Sequence, residues 1–566
     1  MHRLAVLLPS VFCSFSVIAQ ITALPERLSH VLEVQDMEMG LKLYNEITEA
    51  DLSQLPDSSL FDYHYLGGYI NSEIPNHEKA VTHLLEAKKL CDKVLGTYSI
   101  GYMEIMRGLG DEYIELGQYD DALAVYQEGI VKSMAVRNGA PKAFGNLIMG
   151  VQECYEHKGW FNEIPSHLYD AWSFWSKDEE PFATYNYFPL WSLEQFYSRY
   201  GMYDKALAIG DKIEEFITSK YNNNHPELCD ALYMRGNILV KAGRRKDAIS
   251  DYERAISIAQ TNNISDAEIL GSIYGNLIVA LADEGAVEKC KELLPAIKSY
   301  SLVTTNSRFY ANAIYSCALH LGQSHHYNEA LTFVDMIPTE GFSANELALI
   351  KDMKDSYLHN IETLSNFDNM VNSHIQLSVG SSDWYNLSYD IANVYMVTGN
   401  LRQCFNMLET IYRAYMADPT NKDASPLYLM NSLLSVTTQL EDNSSFLKYA
   451  LAKRDLLNGN KDIPQKYIID NLNEIIVGQL RCQQLDGIDE RLNNVETFYR
   501  TQYGEVSEEY ATCLHNRGRF YQLQNKLDKA KETLLKSISI QNKVEGRPFE
   551  KTVKYYMEVE QQLGEL

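Results

Sequence analysis

Three histidines fall within one short stretch, CALHLGQSHHYNEA, as His320, His325 and His326. Imidazoles at close spacing hold zinc when thiolates or carboxylates complete a set of three or four ligands. Serine, glycine and asparagine surround the His325-His326 pair, so the stretch is read as a solvated loop and no metal site is expected. Nine cysteines are spread along the chain with no C-x-x-C pair, which leaves neither a zinc cluster nor a disulfide framework legible. Most are expected to be small buried apolar residues. The segment RGLGDEY sets Gly108 two residues before Gly110 but opens no phosphate loop, and there is no H-E-x-x-H, G-x-S-x-G or P-loop sequence. No catalytic residue, cofactor or metal is assigned.

What the chain does contain is a spacing. In LGDEYIELGQYDDALAVYQEGI, residues 109–130, apolar positions recur every three and four residues on both sides of Gly117, the mark of two short amphipathic helices. Gly117 is followed at intervals of 42 residues by Gly159, Gly201, Gly243 and Gly285. Five residues after each stands Ala122, Ile164, Ala206, Ala248 or Cys290, and four residues before each stands Tyr113, Tyr155, Tyr197, Leu239 or Leu281. The pattern predicts a helical hairpin. Glycine supplies the left-handed step that ends the first helix, and the small residue lets the second approach it. Asp120, Asp204 and Asp528 are expected to cap the second helix. One hairpin cannot bury its own apolar face, so copies must stack.

The order Leu109, Gly110, Tyr113, Ala122, Tyr126, Gly129 closely resembles the tetratricopeptide repeat (TPR) family, as does Gly236, Leu239, Ala248, Tyr252, Ala255. The 42-residue spacing is similar to the lengthened repeats of kinesin light chains. The resemblance implies an all-α, TPR-like α-solenoid, a right-handed superhelix of about twelve antiparallel helix hairpins. The register extends back to Ala80, weakens after Gly285, and resumes at Gly399 through Glu441, Gln483 and Asn525. The expected organisation is a signal peptide at 1–19, a capping helix and linker at 20–57, a regular array at 58–300, degenerate hairpins at 301–383, a second array at 384–545, and a C-terminal capping helix at 546–566.

The leader carries His2 and Arg3, then a 15-residue apolar core from Leu4 to Ile18, then Val17-Ile18-Ala19 as a cleavage site. This predicts export to a periplasm or the cell exterior, with no membrane span in the mature chain. Lys plus Arg number 50 against 76 for Asp plus Glu, a formal charge of −26. Such a surface repels phosphate backbones, so nucleic acid is not an expected partner.

In the resembling family the first helix of each hairpin lines a concave face that binds proteins or peptides. Mapped copy by copy, that face would carry Arg107 and Asp111, Trp191 and Gln195, Tyr233 and Asn237, Asn276, Tyr389 and Asn393, and Asn516 and Arg519. Asn237 and Asn393 share the position where the family often uses an amide to hold a ligand's backbone; an amide both donates and accepts. The family's carboxylate clamp needs basic residues in adjacent repeats, and here Arg107 stands alone among them, so that co-chaperone role is disfavoured.

From Tyr155 to Tyr203, 16 of 49 residues are aromatic. They would form either a ligand-binding patch or bulky core, and core is the expected reading. The functional expectation is an exported, non-enzymatic scaffold binding a protein or peptide. The alternatives are the sensory input module of an envelope signalling system and a glycan-binding protein.

Overall fold

The computed structural model describes Arg27, His30 and residues 37–564 apart from 97, 135, 137–140, 177–186, 265, 302–308, 341, 459–462 and 547. The expected signal peptide lies outside the described residues. Among those described, the regular elements are helices and no strand occurs.

The chain divides into two compact units, residues 1–193 and 194–566. Unit 1 begins with α1 (Met37–Glu46) and the single turn α2 (Glu49–Leu52). It continues through the hairpins α3 (Asp57–Glu73)/α4 (His77–Val94), α5 (Ile100–Glu115)/α6 (Tyr119–Ser133) and α7 (Pro141–Lys158)/α8 (Glu163–Trp175). Leu43 of α1 packs on Tyr63, Leu66 and Ile70 of α3, covering the first hairpin's apolar face.

The boundary falls inside α9 (Phe188–Arg199), which α10 (Tyr203–Lys220) follows. Unit 2 runs on through α11 (Glu227–Lys241)/α12 (Arg245–Thr261), α13 (Ala267–Asp283)/α14 (Val287–Ser301) and α15 (Phe309–Gln323)/α16 (Tyr327–Val334). Then come α17 (Ala344–Ser365)/α18 (Phe367–Gln376), α19 (Ser382–Val397)/α20 (Leu401–Ala417) and α21 (Pro426–Gln439)/α22 (Asn443–Asn458). Last are α23 (Gln465–Arg481)/α24 (Ile488–Tyr503), α25 (Glu508–Leu523)/α26 (Leu527–Glu545) and a final helix α27 (Glu550–Leu563). Within each unit, successive helices pack mainly on their neighbours in sequence. The fold is a TPR-like α-solenoid.

The 42-residue period is a backbone period. Gly117, Gly159, Gly201, Gly243, Gly285 and Gly399 all have φ between +68° and +74°. The step survives where glycine does not: Glu441, Gln483 and Asn525 have φ of +55°, +55° and +57°, and His325 has +66°. Each closes the same C-terminal turn. The Gly117 N–H donates to the Ile114 carbonyl at 2.8 Å and the Gln118 N–H to the Tyr113 carbonyl at 2.8 Å. The pair recurs as Glu441 to Thr438 and Asp442 to Thr437, and as Asn525 to Gln522 and Lys526 to Tyr521. These are Schellman bonds, which satisfy carbonyls that a helix end would otherwise orphan.

The same geometry corrects the expected caps. Gln118, Met202 and Lys526 sit at the N-caps and make no side-chain cap bond, while Asp120, Asp204 and Asp528 lie inside the first turn. The capping position is the residue directly after the left-handed step, two before these aspartates; where it is Asp442, the carboxylate does accept the Ser445 N–H, at 3.1 Å. The aspartates instead complement the positive end of the helix dipole. The histidine stretch is corrected in part: His320 lies on α15 and bonds the Asp283 carboxylate at 2.8 Å, whereas His325 is exposed in the turn as its left-handed residue.

A non-glycine residue held left-handed is strained by about 1–2 kcal/mol. Glu441 and Gln483 are exposed at this step. Glu441→Gly and Gln483→Gly should each stabilise unit 2 by about 0.5–1 kcal/mol, glycine's extra unfolded-state entropy offsetting part of the relief. Urea unfolding of the single and double variants checks this, and any loss of stability refutes it.

Candidate functional site

The first helix of a hairpin places residues ten and six positions before its left-handed residue one turn apart on one face. Arg107 and Asp111 of α5, Trp191 and Gln195 of α9, Tyr233 and Asn237 of α11, and Tyr389 and Asn393 of α19 occupy these two positions, as Arg519 of α25 does the second. Asn276 of α13 and Asn516 of α25 stand nine before. They fall into separate local groups.

In unit 1, Arg107 is buried, and its guanidinium donates to Glu104 at 3.0 Å and to Asp111 at 2.7 Å. The other Asp111 oxygen accepts the Tyr126 hydroxyl at 2.6 Å. A guanidinium held by two carboxylates of its own helix and withdrawn from water has little left to offer a ligand, and Asp111 carries the link on to α6 through Tyr126. Trp191 is half-buried, its ring tilted against Phe188 at 5.5 Å.

In unit 2, α11 and α13 share an amide bridge. Asn276 Nδ2 donates to Asn237 Oδ1 at 2.7 Å and reaches Tyr233 Oη at 3.4 Å. The same Asn237 oxygen accepts the buried Tyr252 hydroxyl at 2.7 Å. Asn237 Oδ1 is thereby saturated, while Asn237 Nδ2 and Asn276 Oδ1 keep free hydrogen-bonding capacity among the described residues. Asn276 is exposed and Asn237 half-buried, so a donor and an acceptor face solvent side by side.

A second bridge joins α23 and α25, where the buried Asn516 donates from Nδ2 to Asn473 Oδ1 at 2.9 Å. Asn473 went unassigned in the sequence. It stands ten residues before Gln483, the position of Tyr233 and Tyr389, so the period itself could have found it. Arg519 lies over the Tyr555 ring at 4.5 Å and donates to Gln522 at 2.6 Å, tying α25 to α27. Tyr389 donates to the Ala424 carbonyl at 2.6 Å and packs edge-on to Tyr428 at 5.2 Å. Asn393 is exposed.

Sequence reading also missed Glu194 of α9, next to Gln195. It is 1% exposed, neither carboxylate oxygen has a hydrogen-bond partner among the described residues, and burial pushes its pKa up to about 8. The signal was present. Gly68, Gly110, Gly236 and Gly518 each stand sixteen residues before a large side chain, Leu84, Tyr126, Tyr252 or Leu534, that fills the space a Cβ would need. In this hairpin the sizes are exchanged: Glu194 takes the glycine position and Gly210 the bulky one, and a Cβ on Gly210 would come within 2.6 Å of Glu194 Oε1.

The described residues of the aromatic stretch divide mainly between buried and half-buried positions. Phe161, Tyr187, Phe196, Tyr197 and Tyr200 are buried, Phe188 is half-buried, and Trp160 is exposed beneath the Lys158 ammonium at 4.3 Å.

Models of the tetratricopeptide repeat match residues 75–130, 229–262 and 511–544. No match is found among curated proteins. Among solved structures, the chain is similar to nearly identical TPR-like repeats of a Podosopora anserina kinesin light chain, at 13% identity and a TM-score of 0.28, over 41% of this chain and 95% of that one. It is also similar to aspartyl phosphate phosphatase F from Bacillus subtilis, at 12% identity and a TM-score of 0.34, over 71% of this chain and 96% of that one.

Proposed function

We propose that this chain, which carries tetratricopeptide repeats, is an exported, non-enzymatic scaffold that holds an extended, neutral or basic peptide along the first helices of unit 2. The Asn237–Asn276 bridge carries the reading. Two amides fixed to each other offer one donor and one acceptor at a spacing set by adjacent helices, which is what a ligand's peptide group requires. Holding both side chains beforehand lowers the entropy cost of binding. Tyr233 beside them adds a flat apolar contact. The formal charge of −26 opposes acidic ligands and favours basic ones through long-range attraction. The leader at Leu4–Ile18 supports export to a periplasm or the cell exterior.

The test avoids Asn237 itself, because Asn237→Ala would strand the buried Tyr252 hydroxyl and confuse folding with binding. Asn276→Ala and Asn393→Ala remove exposed amides. Full-length protein would be titrated with unstructured peptide libraries of basic, neutral and acidic composition. Basic and neutral peptides should bind and acidic ones not, and the double variant should bind about tenfold or more weakly with unchanged helical circular dichroism. Equal affinity in wild type and variant would remove the bridge from the site.

A further inference from the structure

We propose that the face shared by α19 and α21 takes a proline-rich stretch of the bound peptide in the polyproline II conformation, with a basic residue beside it. The inference rests on the scaffold reading above and names what the peptide carries where it crosses these two helices. Gly399 and Glu441 are the left-handed residues that end them. Counted back thirteen, ten and six positions from each, α19 presents Asn386, Tyr389 and Asn393, and α21 presents Tyr428, Asn431 and Ser435. Residues at these intervals share one side of a helix. The two helices lie side by side. The Tyr389 and Tyr428 rings meet at 5.2 Å towards their starts, and Gln439 Nε2 reaches Met396 Sδ at 3.8 Å at their ends.

Tyr428 is 51% exposed, the three asparagines and Ser435 are exposed as well, and Tyr389 is half-buried. The two rings stand at 72° to each other and make an aromatic corner, one wall of which is fixed by the Tyr389 hydroxyl donating to the Ala424 carbonyl at 2.6 Å. The side chains of Asn386, Asn393, Asn431 and Ser435 have no hydrogen-bond partner among the described residues, so donors and acceptors flank the corner. In a chain of charge −26, α21 has no charged residue and α19 only Asp383 and Asp390. Asp390 is exposed beside Tyr389 and has no basic partner among the described residues.

Polyproline II fits this face in three ways. Its backbone makes no internal hydrogen bonds, so its carbonyls are open to the asparagine amides. Its proline rings pack on aromatic side chains, and the segment is already extended, which lowers the entropy cost of binding. It repeats every three residues, about 9 Å, and packed helices lie about 8–10 Å apart, so successive prolines fall one to each helix. Asp390 supplies the complement for a basic flank. A neutral sugar would suit the rings and amides but leave that carboxylate unanswered.

The full chain would be titrated, by fluorescence anisotropy, into a labelled synthetic peptide with proline at every third position, serine and threonine between, and a lysine at one end. The comparison probes are the same peptide with alanine for proline, the same with glutamate for lysine, and a neutral glucose oligosaccharide. The proline peptide should bind about tenfold or more tightly than the alanine peptide. Tyr428→Ala should erase that difference with unchanged helical circular dichroism, and Tyr428→Phe should keep it, because the ring is the contact. Asp390→Asn should erase the preference for lysine over glutamate. Equal binding of the proline and alanine peptides, or wild-type affinity in Tyr428→Ala, overturns the inference. Oligosaccharide binding that Tyr428→Ala abolishes assigns the face to sugars and overturns it too. Asn276→Ala separates this from the reading it rests on. If that variant weakens both peptides while Tyr428→Ala changes nothing, the scaffold stands and the proline face falls. If only Tyr428→Ala weakens binding, the proline face stands and the amide bridge falls.

Discussion

Gly150→Ala should destabilise unit 1 by about 3 kcal/mol, and Gly110→Ala by a similar amount, through overpacking of an enclosed ring. Tyr126 is 0% exposed and lies between α5 and α7. A Cβ on either glycine would come within 3.0 Å of three of its ring carbons. The ring has no escape, because its hydroxyl is tied to Asp111 at 2.6 Å. Retreat would break that bond and with it the brace on Arg107. Gly108, on the same helix, is the control: a Cβ there would meet Leu84 at 3.4 Å, an ordinary contact. Gly108→Ala should therefore stabilise by about 0.5–1 kcal/mol through helix propensity. Urea unfolding followed by circular dichroism distinguishes the three. Combining Gly110→Ala with Tyr126→Leu should cost less than the sum of the single changes, because the two groups compete for one space. Additive losses would show that the ring is not what the alanine meets.

Glu194 should make unit 2 less stable as pH rises, and Glu194→Gln should abolish that dependence. Burial, the largest cause, pushes the carboxyl up to about 8 in the folded chain, against about 4.5 for an exposed glutamate. Arg235 acts in the opposite sense, but its guanidinium is engaged by Asp251, Glu214 and Asp211, and Asp211 itself pushes the Glu194 pKa upward. The folded pKa lies above the unfolded one, so the folded state holds the extra proton between pH 4.5 and about 8. Stability is full below that window, falls as pH rises through it, and stays low above it. The whole loss is on the order of 5 kcal/mol, at 1.36 kcal/mol per pKa unit. Unfolding midpoints between pH 5 and 9 would fall for wild type and stay nearly level for the glutamine variant. Parallel curves would mean that Glu194 is not the group responsible.

The hairpins were legible because each is built from local spacings: glycine ends a helix, a small residue follows five positions on, and a large one fills the gap. Even the diverged copies at Glu441, Gln483 and Asn525 could be placed by counting, although their side chains carry no glycine signal. The inner-face residues were legible as positions but not as roles. Arg107 looked like a ligand group and is a buried brace; Asn516 is buried against Asn473, which had drawn no notice. Arg107 is spent on Glu104 and Asp111 of its own helix, whereas the role of Asn516 depends on what a helix a full period away presents.

The sequence by itself determined the helical hairpin, its 42-residue repeat and the stacking of copies, since all three follow from contacts within about one period. Tertiary structure alone decided which polar groups are spent and which stay free. Asn237 and Asn276 are 39 residues apart, and His320 finds Asp283 across 37. Hydrogen bonds form only within a few ångströms, and such distances are fixed by how one hairpin is seated on the next.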